Sequence, residues 1–371
     1  MASYKFGDIV KEVKINIDRN NNPYEFYVAG DHMDSEDLTI HRKGIFASDD
    51  VGPAFTRLFK PGQVLYGSRR TYLKKVAVAD FEGICSNTTF VLEGKAPDKF
   101  DERLLPFIML SDGFTQWSVS HSKGSTNPYI LFSDLASYEF ELPTMEKQRK
   151  LADKLWSAYH LKEAYQKLLA ATDEMVKSQF LEWFGSPVSN PKGWQVVPLK
   201  EASILVSDGP FGSNLKSCHY VNHGIRVIRL QNIGVGFFDD RDKAFISESH
   251  YNVLKKYTCK PGEVVIGTLG EPNLRACIVP DYIDTSINKA DCIHVIPDET
   301  KLLPQFVCSY INCEETLYIA TSQIHGTTRN RISGGQVSQL PIYLPQIELQ
   351  KQFISVAEQA DKSKYYEINE T

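Results

Sequence analysis

Eight residues, Ser68-Arg69-Arg70-Thr71-Tyr72-Leu73-Lys74-Lys75, hold four cations and one aromatic ring. A guanidinium can donate two parallel N–H bonds to a guanine edge, while ammonium groups and backbone amides take phosphate oxygens. Other polar stretches carry related chemistry. Lys123-Gly124-Ser125-Thr126-Asn127 and Thr327-Thr328-Arg329-Asn330-Arg331 combine short side chains with amide, ammonium and guanidinium donors. Asp208-Gly209-Pro210-Phe211-Gly212-Ser213-Asn214-Leu215-Lys216 reads as a tight, donor-rich turn, and Arg226, Arg229, Gln231 and Asn232 alternate along a predicted strand. Any one such cluster is commonly a solvated surface loop. Their recurrence at matched places in the chain shifts the balance toward binding.

Catalytic patterns are weaker. Asn127-Pro128-Tyr129 is similar to the Asn-Pro-Pro-Tyr loop of adenine methyltransferases but lacks one proline, and no glycine-rich strand-to-helix loop stands upstream to hold S-adenosylmethionine. Pro297-Asp298-Glu299-Thr300-Lys301 places its acids side by side, whereas a nuclease needs carboxylates that converge on a metal from different strands. The seven cysteines never form CxxC, and neither Cys218-His219 nor Cys292 with His294 has a second ligand pair, so no metal site is expected and the thiols are read as reduced. There is no Walker loop, nucleophile elbow or HExxH.

The elements that must position these loops come in two copies. Lys60-Pro61-Gly62-Gln63-Val64-Leu65-Tyr66-Gly67-Ser68 matches Lys260-Pro261-Gly262-Glu263-Val264-Val265-Ile266-Gly267-Thr268, and residues 123–151 lie over 325–353, the offset drifting only from 200 to 202. Lys-Pro-Gly ahead of an apolar run predicts a turn entering a strand. Phe140 and Leu142, like Ile342 and Leu344, predict short strands that end at proline, each followed by helical pattern. The copies keep turns and apolar positions and diverge in polar loops: SRRTYLKK against TLGEPNLR, STNPY against TTRNR. A shared scaffold with different loops predicts two related sites that read different things.

Between the copies, residues 146–184 contain no proline or glycine; Leu151, Leu155, Ala158, Tyr165, Leu169, Thr172, Val176 and Trp183 recur in three- and four-residue steps, with Lys162 and Gln179 as polar interruptions. Such a helix spans ~57 Å at ~1.5 Å per residue, and it is read as a rigid spacer. Leu349, Phe353, Val356 and Ala360 start a second, shorter seam. The expected organisation is a first domain over 1–145, a central helix over 146–184, a second domain over 185–347 and a shortened helix and tail over 348–371. At 371 residues two domains are expected. The apolar runs are too short for a membrane span and the N-terminus lacks a secretory core, which predicts a cytoplasmic protein. A net charge of −5 argues against binding nucleic acid by bulk charge alone.

In this order, twice over, these motifs resemble the DNA-specificity (S) subunits of type I restriction–modification systems. The resemblance rests on SDGPFGSNLK, LQNIG, KPGEVVIGT and GTTRNRISGGQVSQLPIYLPQIELQKQF, and on the first-half versions YVAGDHMDSEDL, KPGQVLYGS and GSTNPYILFSDLASYEFELPTMEKQRKL. It implies an α/β (α+β) fold of two similar target-recognition domains with twisted, irregular sheets. Long antiparallel coiled-coil-like helices separate them, and an internal pseudo-two-fold repeat relates the halves. It implies a non-catalytic subunit that reads a bipartite double-stranded DNA target and recruits two methylation subunits, joined in the full complex by two restriction subunits. No cofactor is implied for this chain; S-adenosylmethionine, ATP and Mg are implied for the partners. The chain departs from the family at MASYKFGDIVKEVKINI, which differs from a GPFGS-type entry, and in its shorter second helix. A two-domain protein-binding scaffold without a DNA role is the alternative.

Loop chemistry assigns DNA contact to Arg69, Arg70, Tyr72, Lys74, Lys123, Asn127, Ser213, Asn214, Lys216, Arg229, Gln231, Arg329 and Arg331. The helix seam, Leu151, Leu155, Tyr165, Leu169, Val176, Phe353 and Val356, is assigned to helix–helix and partner contact. Arg69→Ala and Arg329→Ala are expected to weaken recognition of different half-sites, as read by methylation of duplexes altered in one half at a time; an effect of both on the same half would defeat the two-reader assignment.

Overall fold

The computed structural model describes residues 2–322 and 331–369. The chain divides into two compact units, Met1–Tyr165 and Gln166–Thr371.

In the first unit the strands, in chain order, are β1 (Ala2–Lys5), β2 (Val10–Glu12), β3 (Phe26–Val28), β4 (Gly44–Ile45), β5 (Phe55–Phe59), β6 (Val64–Gly67), β7 (Val76–Val78), β8 (Gly83–Ser86), β9 (Thr89–Gly94) and β10 (Glu139–Leu142). An antiparallel sheet has the order β2-β9-β6-β7, and a second sheet the order β4-β3-β8-β5, in which β3 and β8 run parallel. In the second unit come β11 (Val196–Pro198), β12 (Ser203–Ser207), β13 (Tyr220–Val221), β14 (Ile225–Ile228), β15 (Phe245–Ile246), β16 (Thr258–Cys259), β17 (Val264–Gly267), β18 (Arg275–Ile278), β19 (Ser286–Asn288), β20 (Cys292–Pro297) and β21 (Pro341–Tyr343). Their sheets have the orders β12-β20-β17-β18 and β13-β15-β14-β19-β16, again with one parallel pair, β14 and β19. A two-stranded ribbon completes each unit, β1 with β10 and β11 with β21.

The repeated apolar phrase is the central strand of the first sheet in each unit, and its burial explains its composition. Val64 and Tyr66 point into a core covered by helices such as Asp112–Ser120, while Leu65 points into a second core with Val28, Phe59 and Cys85. Val264 and Ile266 do the same on one face of β17, and Val265 on the other, against Ile228, Cys259 and Cys277. Period-two alternation normally separates core from solvent; a strand covered on both faces is apolar at every position. The entry turn is also shared. Gly62 (φ +86°) and Gly262 (φ +80°) follow a proline in the pattern of a type II turn, whose third residue favours glycine. The Gly62 amide donates to Ala79 O at 2.8 Å and the Gly262 amide to Val279 O at 2.9 Å.

The first unit's entry is less divergent than its sequence suggests. Val10–Glu12 pairs antiparallel with β9 just as Ser203–Ser207 pairs with β20. The strand is therefore present in both units, and only the donor-rich turn that follows β12 has no sequence counterpart.

The long helix is continuous over Met145–Phe184. It starts by burying Ala152 and Tyr159 in the first unit and ends by burying Phe180 and Phe184 in the second. Its first turns keep Leu155 of the seam read in the sequence against the core but turn the rest by one residue: Leu151 is 43% exposed and Ala158 is exposed, while Ala152, Trp156 and Tyr159 face inward. The buried member that disguised this stripe is polar, Gln148. The second helix, Ile347–Asn369, meets the end of the first through Phe353, whose ring lies 5.4 Å from Phe180 and 5.5 Å from Phe184.

Gln148 and Gln350 stand 202 residues apart and make the same three bonds. Gln148 Oε1 accepts from Asp101 N, and its Nε2 donates to Lys99 O and Pro143 O, at 2.9–3.0 Å. Gln350 Oε1 accepts from Leu303 N, and its Nε2 donates to Lys301 O and Pro345 O, each at 2.9 Å. Each side chain is buried and stitches a helix start to the loop beneath it. Removing the amide strands backbone groups without water, so Gln350→Ala and Gln148→Ala are each expected to destabilise their unit by about 3 kcal/mol. Urea unfolding checks this; a loss under about 0.5 kcal/mol would show these bonds to be dispensable.

Candidate nucleic-acid interface

A strand buried on both faces can present polar chemistry only where it ends. β6 is followed directly by Ser68 and β17 by Thr268, both buried. The Ser68 amide and hydroxyl both donate to Thr88 O, at 3.0 and 2.6 Å, and Ser68 O accepts from Ile130 N at 2.9 Å. The Thr268 amide and hydroxyl both donate to Asp291 O, at 3.0 and 3.1 Å, and Thr268 O accepts from Ile332 N at 3.2 Å. In each unit one short hydroxyl residue thus gathers three segments: the loop after the central strand, the turn before β9 or β20, and the segment ahead of the final helix–strand passage.

In the first unit this gathering sets Arg69, Arg70, Tyr72, Lys123 and Asn127 at the surface. Arg69 and Lys123 both form β-bridges with Tyr129, and the Arg70 amide donates to Pro128 O at 2.7 Å from a left-handed backbone (φ +51°). The side chains of Arg69, Arg70 and Tyr72 project from a single tight turn, with Tyr72 55% exposed. Lys74 differs. Its ammonium lies between Glu36 at 2.9 Å and Asp112 at 3.1 Å, and those carboxylates raise its pKa. Lys123 is paired with Asp134 at 3.1 Å while its backbone stays on Tyr129.

In the second unit Asp208 is the organiser. Its Oδ1 accepts from Gly209 N at 2.7 Å and Asp291 N at 3.0 Å, and burial pushes its carboxyl above the usual range. Asp291 in turn holds the Arg331 guanidinium at 2.5 Å, which also lies over the Phe211 ring, 5.5 Å from its centroid. A carboxylate and an aromatic face together fix the guanidinium plane, and the Arg331 side chain stays 45% exposed. Ser213, Asn214 and Lys216 are exposed on the same segment as Phe211, and His250 Nε2 bonds Asn214 O at 2.9 Å.

The predicted alternation over residues 226–232 is revised. β14 stops at Ile228, and Leu230–Asn232 is a 3-10 turn. Arg226 is buried, bonded to Asp240 and to Asp242 O at 2.8 Å each, and Asn232 is buried with its amide on Asp239 O and Asp242 O. Both serve the turn itself. Arg229 pairs with Asp242 and lies over the Tyr220 ring; Gln231 is exposed. Arg329 lies outside the described residues.

Sequence reasoning passed over Arg275. It sits at the start of β18 and donates to Ile233 O, Leu269 O, Pro272 O and Leu230 O at 2.6–2.9 Å. The signal was available, since Arg275 falls on Lys75 in the repeat. Among the described residues no cluster of acids, histidines and cysteines has the makings of a metal site, and no helix is long and apolar enough to cross a membrane.

Residues 4–169 match the family described as the type I restriction modification DNA specificity domain. The specificity subunit of the type I restriction enzyme MjaVIII of Methanocaldococcus jannaschii is 21% identical over 372 residues, which cover 94% of this chain and 83% of that one. The EcoDI specificity subunit of Escherichia coli is 27% identical over 144 residues, 39% of this chain and 31% of that one. The solved S subunit of a type I restriction–modification system from M. genitalium has the same fold: TM-score 0.55, 13% identity, covering all of this chain and 91% of that one.

Gly209 is required by close packing: an added Cβ would fall on the Lys289 backbone. Gly209→Ala is expected to destabilise the second unit by about 2 kcal/mol and to displace the Ser213–Lys216 segment, checked by thermal melting of the full chain; an unchanged midpoint would mean the turn relaxes freely.

Proposed function

We propose that the two units each read one half of a bipartite double-stranded DNA target, from the premise that this chain belongs to the DNA-specificity subunits of type I restriction–modification systems. Within such a system it is the subunit that selects the DNA, and S-adenosylmethionine and ATP belong to the methylation and restriction subunits. One observation carries the division of labour. The Ser68 and Thr268 junctions gather the same three segments by the same bonds, yet present different polar side chains. Identical framing favours identical docking on duplex DNA, and different side chains favour different base choices.

In the first unit the contacts are Arg69, Arg70, Tyr72, Lys123 and Asn127, with Lys74 held back by its two carboxylates unless DNA displaces them. In the second they are Ser213, Asn214, Lys216, Gln231 and Arg331, with Arg229 available once freed from Asp242; Arg329 joins them by its place in the sequence. Arg331 suits a guanine edge, because its plane is already oriented. The net charge of −5 is consistent with partners that supply much of the phosphate neutralisation.

Two methylation subunits that modify adenine N6 would pack on the long helix, where Leu161, Leu168 and Met175 recur every seven residues and are 44–48% exposed. Leu151, Leu155, Tyr165, Leu169 and Val176 flank that stripe; Phe353 packs on Phe180 and Phe184 with Ile354 and Ala357 beside it, and Val356 is assigned to the partner. Restriction subunits would join through the methylation subunits, and the assembly would act on DNA in the cytoplasm.

The test is a map of methylated adenines in the native host with and without the gene. Loss of a single two-part motif with a fixed gap on deletion is the expected result. An unchanged map from a system shown to be expressed would favour a protein-binding scaffold instead.

A further inference from the structure

Arg275 grips two loops at once. Its Nε donates to Ile233 O at 2.6 Å and its Nη2 to Leu230 O at 2.9 Å, both in the turn that carries Gln231. Its Nη1 donates to Leu269 O at 2.9 Å and Pro272 O at 2.8 Å, in the loop that leaves Thr268. All four partners are neutral carbonyl oxygens, so the guanidinium works here as a fork of fixed geometry. The surrounding backbone is shaped to admit it. A Cβ on Gly267 would stand 3.3 Å from Cζ, and one on Gly270 3.3 Å from Nη1, with Gly270 itself at φ +112°. The glycines of the second copy of the repeat therefore leave the room the guanidinium occupies.

The first unit has a lighter version. Lys75, at the matching place, sends its ammonium to Gly30 O, in the loop after β3, as Leu230 lies in the loop after β14. One carbonyl is bonded there where Arg275 bonds four.

We propose that Arg275 is a positioning residue for base selection. It locks the Gln231 turn against the Leu269–Pro272 loop, so that the second unit presents one rigid reading surface, and Lys75 is its looser counterpart in the first. This rests on the reading of these loops as DNA contacts. A lysine at 275 has three donors on a flexible stem and cannot reproduce the fork, yet position 75 shows that the scaffold folds with lysine there.

The experiment uses the full methylation complex carrying Arg275→Lys, Gln231→Ala or neither, with methylation rates measured on duplexes altered at one base pair in either half. Gln231→Ala identifies the half read by the second unit. Arg275→Lys is expected to lower discrimination against wrong bases in that same half by about tenfold, while the other half is read as before. If Gln231→Ala alters one half and Arg275→Lys alters neither, or relaxes both equally, the positioning role is overturned and the loop assignment stands. If Gln231→Ala changes neither half, the loop assignment fails and the proposal falls with it. Should Arg275→Lys not fold, Arg275→Gln carries the test: its planar amide reaches fewer of the four carbonyls, so lower discrimination in the half altered by Gln231→Ala is expected, and unchanged discrimination there overturns the proposal.

Discussion

The central strand of each unit is covered on both faces, and the rest of the structure follows from that constraint. Val64–Gly67 and Val264–Gly267 have no solvent-facing side, so no functional side chain can be placed along them without a buried polar group. Polar chemistry is displaced to the strand ends. There Ser68 and Thr268 satisfy their own amide and hydroxyl on a single carbonyl of a neighbouring turn and lend their carbonyl to a third segment. Three loops are drawn to one point by side chains small enough to be buried and polar enough to bind.

From that point the units diverge in how charge is handled. In the first, Arg69 and Arg70 are exposed while Lys74 and Lys123 are balanced by Glu36, Asp112 and Asp134. In the second, Asp208 and Asp291 organise the backbone and Arg331 together, and Arg275 ties loops through neutral carbonyls. The second surface is the more heavily braced of the two. Bracing lowers the entropy lost when a loop meets its ligand and sharpens selection among ligands that differ by one group.

The same helix is built into both units, and each anchors its own stretch of it by aromatic packing, around Trp156 and Tyr159 at one end and Phe180 and Phe184 at the other. Gln148 and Gln350 show how far the shared plan extends. A buried glutamine with three backbone partners is tolerated only where every partner is kept, and all three are kept in both copies. Its polarity also hid the buried stripe at the start of the long helix, since a pattern of apolar residues cannot register a buried amide.

Much was written in the residues themselves. The duplication, the Lys-Pro-Gly turns, the apolar strands, the long uninterrupted helix and the polar loops at matched places all depend on local pattern, which acts over a few residues and is visible without a fold. What became of each polar residue was not. Arg226 and Asn232 turned inward, Lys74 was claimed by Glu36 and Asp112, and Arg275 was committed to four carbonyls. A charged side chain is free or occupied according to what distant segments bring within about 3 Å of it. The order of residues therefore determined that there are two similar units with divergent loops, and tertiary structure alone decided which of their cations remain available to a ligand, because pairing is settled by distance in space and not along the chain.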